Sequence, residues 1–171
     1  MNRLLKVGGA TFDQSVINLV RHSHDFLIGR HTAEVLRKSF GIFTNEVEAM
    51  LTVAGRDLIT GVPMRKGISI NLVRLAMKDP LFQCVSAIQS LLDRTPPEVR
   101  KAINENGIFL TGGVAHTAGL EMYVEEMVGI TTRTSVEPDI CAVTGLKKII
   151  ESKELRKFAF SMIDENYRWM R

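Results

Sequence analysis

The run Ile108-Phe109-Leu110-Thr111-Gly112-Gly113-Val114-Ala115 carries the most informative chemistry in the sequence. A short apolar strand enters a diglycine, and a helix follows a few residues later. Glycines at the carboxyl end of a strand leave bare backbone, which a flat ligand can approach closely because no Cβ intervenes. Open α/β sheets bind their ligands at that end. Taken alone, the run also suits a turn that merely packs helix on strand. It has neither the lysine of a phosphate-binding P-loop nor the three-glycine dinucleotide fingerprint. A second candidate is Glu34-Val35-Leu36-Arg37. Groups three apart on a helix share a face, so this acid and base could point into one cleft; without further context a surface ion pair fits as well.

The other chemically capable residues carry less. His22 and His24 are two apart on a predicted helix and do not face each other, which disfavours a metal pair. His116 lies near the glycine loop and reads as an exposed loop histidine. Cys84 and Cys141 fall in predicted helices, where a small buried hydrophobe is the usual role. Nothing in the spacing of Ser, His and Asp forms a triad, so no catalytic residue is assigned.

These residues must be positioned by elements that the apolar periodicity marks out. Leu5 and Val7 alternate in a short strand ending at Gly8-Gly9. A helix is predicted over 12–26, capped by Thr11, and a second after Thr32, ending at Gly41. Strands are expected over 47–53, 58–62 and 68–70, with a turn at Gly55-Arg56-Asp57. Asp79-Pro80 is a boundary, because proline disfavours helix at the preceding residue. A long amphipathic helix follows through Leu81, Val85, Ile88 and Leu92. Thr95-Pro96-Pro97-Glu98 starts another, with a capping hydroxyl, a proline and an acid. Then come a buried strand at 108–110, a helix through Leu120, Val124 and Met127, a strand at 129–134 and a helix over 138–150. Strand–helix–strand order implies a parallel α/β layer.

The 171 residues carry 22 Lys and Arg against 19 Asp and Glu, a net charge of +3 with 45% hydrophobic residues. That describes a globular chain with a substantial core, and so slight an excess of base gives no reason to expect nucleic acid as a partner. Two cysteines exclude a disulfide framework and a cysteine-built zinc site, making a cytoplasmic compartment the default. No apolar run suits a membrane span or a secretory signal.

In order along the chain stand Gly8-Gly9-Ala10-Thr11-Phe12-Asp13, Ile28-Gly29-Arg30-His31-Thr32-Ala33-Glu34, Gly55-Arg56-Asp57, Gly61-Val62-Pro63, Pro96-Pro97-Glu98, Leu110-Thr111-Gly112-Gly113 and Pro138-Asp139-Ile140-Cys141-Ala142. Together these resemble the carboxyl-terminal half of the MreB family, the bacterial actin-like proteins of rod-shaped cells, over about residues 1–150. The resemblance implies an α/β actin-like (ribonuclease H-like) ATPase fold, second half, with an inserted α+β subdomain. It divides the chain into a residual inner strand (1–9), an outer α+β subdomain (10–76), an inner α/β subdomain with the adenosine loop (77–150) and an amphipathic tail (151–171).

By the same resemblance, ATP is the cofactor and the nucleotide-binding residues are Glu34, Val35, Leu36, Arg37, Gly112, Gly113, Val114 and Ala115. Val114 stands where the family usually has a third glycine and adds bulk beside the base. The family's Glu-x-x-Lys reads Glu34-Val35-Leu36-Arg37 here; Arg keeps the charge, but its planar fork is no copy of an ammonium. The family's phosphate loops, with the groups that serve Mg²⁺ and the attacking water, are expected before residue 1, so this chain alone should not hydrolyse ATP. The strand at 3–7 would then be an unpaired edge that recruits another chain. The resemblance further implies self-association into filaments or oligomers, an inner-membrane location, and partners in cell-wall synthesis. In the tail, Leu155, Phe158, Met162, Ile163 and Met170 near basic residues read as a helix that packs on its own domain or a partner, or lies in a membrane interface. Two alternatives stay open: a piece of another actin- or chaperone-type ATPase, and an interaction module that needs no nucleotide.

Overall fold

The computed structural model describes residues 2–39 and 49–159. Helix α1 (Gly9–His24) opens the fold and buries Phe12, Val16, Ile17 and Val20 along one stripe. Thr11, expected to cap it, sits inside the first turn instead, where its Oγ1 accepts the Gly8 N–H at 3.3 Å. Strand β1 (Phe26–Leu27) and helix α2 (Arg30–Ser39) follow, then the hairpin β2 (Met50–Asp57) and β3 (Pro63–Ser69). These strands form one antiparallel sheet in the order β1-β2-β3. Three strands were expected, but with different membership. The segments predicted at 58–62 and 68–70 become a turn and the end of β3, and β1 joins as the third strand; residues 47–48 of the first predicted strand lie outside the described residues.

Gly55 explains the misplaced turn. A Cβ there would lie 2.5 Å from the Leu27 carbonyl oxygen and 2.6 Å from the Phe26 ring. Its glycine serves a close strand crossing, not a reversal of direction. The reversal falls at 58–61, where the Asp57 carboxylate accepts the Ile59 and Thr60 N–H groups at 3.1 and 2.8 Å.

Helix α3 (Ile70–Asp93) then runs through Pro80 without a break, so the boundary expected at Asp79-Pro80, and the division at 76/77, fall inside one helix. An interior proline costs about 3 kcal/mol. Val73, Met77, Leu81 and Val85 are all buried along this helix, and each such burial is worth roughly 1.5–3 kcal/mol. Burial wins, and the helix continues. Helix α4 (Pro97–Asn106) begins one residue later than expected, with Pro96 rather than Thr95 in the capping place, while the Thr95 hydroxyl donates back to the Leu91 carbonyl at 2.8 Å, closing α3.

Strand β4 (Ile108–Leu110) pairs in parallel with β5 (Thr132–Thr134), connected by helix α5 (Leu120–Val128), as the strand–helix–strand order implies. The burial expected for β4 is not found: Phe109 is 64% exposed. Residues 2–7 form no strand, and Leu4 is 93% exposed. Leu5 and Val7 keep their alternate half-burial, but among the described residues no strand lies beside them to complete a ladder. Helix α6 (Cys141–Glu151) ends the regular elements before a short 3-10 turn at Leu155–Phe158, so no single helix spans 151–159. The rest of the predicted tail helix lies outside the described residues.

One hydrophobic cluster ties this together. It runs from Phe12, Val16 and Val20 through Phe26, Leu36 and Ile68 to Val73, Met77 and Leu81, and reaches Leu120 and Val124 of α5. The core thus sits between the three-stranded sheet and α1, α2 and α3, with β4 and its loop beside it.

Candidate functional site

The glycine loop leaves β4 at Leu110. Gly112 takes φ +91°, a conformation L side chains rarely adopt, and its N–H donates to the Pro138 carbonyl at 2.6 Å. Gly113–His116 then wind into a 3-10 turn. Cβ atoms built on Gly112 or Gly113 would meet nothing within 4 Å, so open space lies before both. The next residues turn inward: Val114 packs against the core cluster, and Ala115 and Thr117 are buried.

Arg37 comes to this loop from α2. Ala33, Leu36 and Arg37 form the buried side of that helix, and Arg37 is only 3% exposed. Its Nε donates to Asp13 Oδ1 of α1 at 2.8 Å, and its Nη1 donates to Thr117 Oγ1 at 3.4 Å. A Cβ built on Gly9 would lie 3.6 Å from Arg37 Nη2 and 3.9 Å from Val114 Cγ2. The two predicted segments, Glu34–Arg37 and Gly112–Ala115, therefore meet beside the start of α1.

They do not meet as the spacing suggested. Glu34 turns outward and pairs with Lys38 at 2.8 Å, across an exposed helical turn. That hydrogen bond and charge hold its carboxyl below the ordinary carboxylate value. Val35 is also exposed, whereas Leu36 is fully buried in the core. Positions 34 and 37 straddle the edge of the helix's buried face, so the acid stays in solvent while the base enters the interior. A surface Glu34–Arg37 pair is excluded for the same reason. The partners that matter, Asp13 and Thr117, were not singled out from sequence. Asp13 had a signal: it lies among Phe12, Val16, Ile17 and Val20, and an acid on an apolar stripe needs a buried partner. Thr117 had none.

His116 is exposed, as expected of a loop histidine, and its Nε2 lies 3.1 Å from Asp139 Oδ1. This contact holds the Asp139 carboxyl below its ordinary 3.8. A depressed carboxylate pKa means the tie contributes at pH above 3.8 and is lost as pH falls through the folded-state value. In a carbon-detected NMR titration, the Asp139 carboxyl should titrate below 3.8 and move up in His116→Ala. An unchanged midpoint in that variant would contradict the contact.

Glu121 and Glu125 of α5 accept the Thr134 and Thr132 N–H groups at 3.0 Å each, closing the edge of β5 turned away from β4. Among the described residues no group of three or more His, Cys, Asp or Glu side chains converges to hold a metal, and no helix is long and apolar enough to cross a membrane. His22 and His24 remain separate residues of α1, and both cysteines are half-buried, with burial raising the Cys84 thiol.

Known proteins resemble this chain in sequence and fold. The chain is 34% identical over 148 residues to the cell shape-determining protein MreB of Escherichia coli K12, covering 86% of this chain and 43% of that protein. It is 29% identical over 149 residues to the cell shape-determining protein Mbl of Bacillus cereus, covering 86% and 45%. The crystal structure of MreB5 of Spiroplasma citri bound to ADP superposes with a TM-score of 0.81 at 28% identity, over 86% of this chain and 45% of that one. The chain thus spans less than half the length of these relatives. The fold is actin-like, its second half. The MreB/Mbl protein model matches residues 1–157. With that match over nearly the whole sequence, the alternative of another actin- or chaperone-type ATPase falls away, and the chain belongs to the MreB/Mbl family.

Proposed function

We propose that this chain is the adenosine-binding half of an ATP-binding cytoskeletal filament subunit that determines cell shape. The observation that carries the reading is the meeting of the Gly112–Ala115 loop with Arg37 of α2, 80 positions apart at the Arg37–Thr117 contact. The ADP-bound relative from Spiroplasma citri supports it.

The loop suits the adenosine end of ATP. Open space before Gly112 and Gly113 lets a flat base approach the main chain, with Val114 and Ala115 beside it. Glu34, on the outer side of α2, can exchange Lys38 for the ribose hydroxyls. ATP brings the phosphoryl group; these residues bind and orient its adenosine. In this reading the phosphate-binding groups and Mg²⁺ belong to the other half of the subunit, so this half alone holds nucleotide without turning it over. The names of the Escherichia coli and Bacillus cereus relatives support cell-shape determination as the role. The reading extends to self-association into filaments, a cytoplasmic place at the inner face of the membrane, and the organisation of cell-wall synthesis.

Fluorescence anisotropy with a fluorescent ATP analogue tests the site. Saturable binding, displaced by ATP and ADP, is expected. Gly113→Val should abolish most of it, because the added side chain enters the open space without striking protein. Absence of saturable binding, or full binding by Gly113→Val, would contradict the proposal.

A further inference from the structure

The edge of a β-sheet presents unpaired N–H and C=O groups, which recruit another strand unless something guards them. Among the described residues there are four such edges, and three are guarded. Strand β1 has only two residues, β3 opens on Pro63 and carries Arg65 and Lys66, and β5 has its outer N–H groups taken by Glu121 and Glu125. Strand β4 has no such guard. From Gly107 to Ala115 the chain carries neither a charged residue nor a proline. The Ile108 N–H donates to the Thr131 carbonyl at 2.8 Å, and the Leu110 carbonyl accepts the Ser135 N–H at 3.3 Å. Residues 108 and 110 therefore turn their backbone groups toward β5. Those groups alternate along a strand, so the Phe109 N–H and C=O point to the open edge, where no described strand lies. The Phe109 side chain is itself 64% exposed.

We propose that this edge pairs with β4 of a second copy of the chain, antiparallel about a two-fold axis at Phe109. A two-fold contact needs a patch that complements itself. Phe109 supplies one, because its N–H and C=O face the same way and two copies can exchange both bonds, as in a hydrogen-bonded antiparallel pair. That register sets Ile108 opposite Leu110 of the second copy. Residues directly opposite share a face of the sheet, so this leucine meets the apolar groove of about 370 Å³ lined by Ile88, Leu91, Leu92, Ile103 and Ile108. The two Phe109 rings stand side by side on the other face. Like charges placed opposite each other would repel, and this edge has none. Two strands make a marginal sheet; the pairing joins two such sheets into one of four strands, β5-β4-β4-β5. It does not rest on the nucleotide reading.

Sedimentation equilibrium of the full chain tests for the pair, and a disulfide tests its register. The parent should dimerise as its concentration rises. Phe109→Lys, which sets two ammonium groups opposite each other, should weaken the dimer about 10-fold or more. Because Phe109 is exposed, circular dichroism should show that variant as folded as the parent. Phe109→Cys should form, on mild oxidation, a disulfide between the two copies of residue 109, identified by peptide mass mapping. The Cα atoms of a hydrogen-bonded pair lie about 5.5 Å apart, within a disulfide's reach. Arg133→Cys, on the neighbouring strand, should form no such bond, since its two copies would stand three strand spacings, about 14 Å, apart. A parent that stays monomeric at millimolar concentration would overturn the proposal, and so would the absence of the disulfide at 109. A dimer equally tight in Phe109→Lys would also overturn it, placing the contact elsewhere, such as at the exposed Val143 and Leu146 of α6.

Discussion

Arg37→Ala should lower the unfolding free energy by about 3–5 kcal/mol, the usual cost of stripping a buried charge of its partner. Asp13 is itself buried, so its carboxylate would remain in the interior without the guanidinium that now lies 2.8 Å away. Thr117 would lose a donor as well. The exposed pair between Lys38 and Glu34, one residue along the same helix, gives the contrast. Lys38→Ala should change stability by less than about 1 kcal/mol, because solvent screens such pairs. Urea unfolding of both variants decides between a buried anchor and a surface ion pair. Replacing both partners with apolar residues, Asp13→Leu with Arg37→Met, should recover much of the loss, because no orphaned charge then remains. An Arg37→Ala variant within 1 kcal/mol of the parent would mean that water reaches Asp13, contrary to the geometry described.

Phe26→Ala should cost a similar amount, about 3–5 kcal/mol, as expected for emptying a fully buried aromatic site. Phe26 is 0% exposed, although it belongs to a strand of two residues. Its ring lies beneath Gly55 on the next strand, and the Lys66 ammonium stands 5.7 Å from the ring centroid. Few backbone bonds secure so short a strand, and the buried ring adds an apolar tie between β1 and the hairpin. Filling the vacated space from the opposite side should fail. Even with the ring gone, a methyl at Gly55 would still meet the Leu27 carbonyl oxygen at 2.5 Å. The Phe26→Ala, Gly55→Ala double variant should therefore be no more stable than Phe26→Ala alone in urea. Recovery in the double variant would show that β1 can shift away from β2.

Sequence periodicity revealed most of the helices because each has one apolar face and a clear start or stop. Pro97 opens α4 and the stripe through Phe12, Val16 and Val20 defines α1. Where a residue serves a distant contact, local reading failed. Gly55 looks like a turn residue until β1 is placed across it. Pro80 looks like a boundary until the burial on both sides of it is weighed. The glycine loop was legible because backbone conformation is a local property, and Gly112 has the positive φ its type permits. The partners of Arg37 were not, since they lie 24 and 80 positions away and only packing brings them together.

In the proposed function the Gly112–Ala115 loop and the Arg37 side of α2 form one nucleotide site. Titrating ADP into isotopically labelled chain and following backbone amide shifts tests it directly. The largest shifts are expected at Gly9, Arg37 and Gly112 to Ala115, saturating together with a single affinity. Saturating ADP that leaves these amides unmoved, or that shifts only residues elsewhere, such as the groove lined by Ser15, Asn18 and Leu75 between α1 and α3, would contradict it.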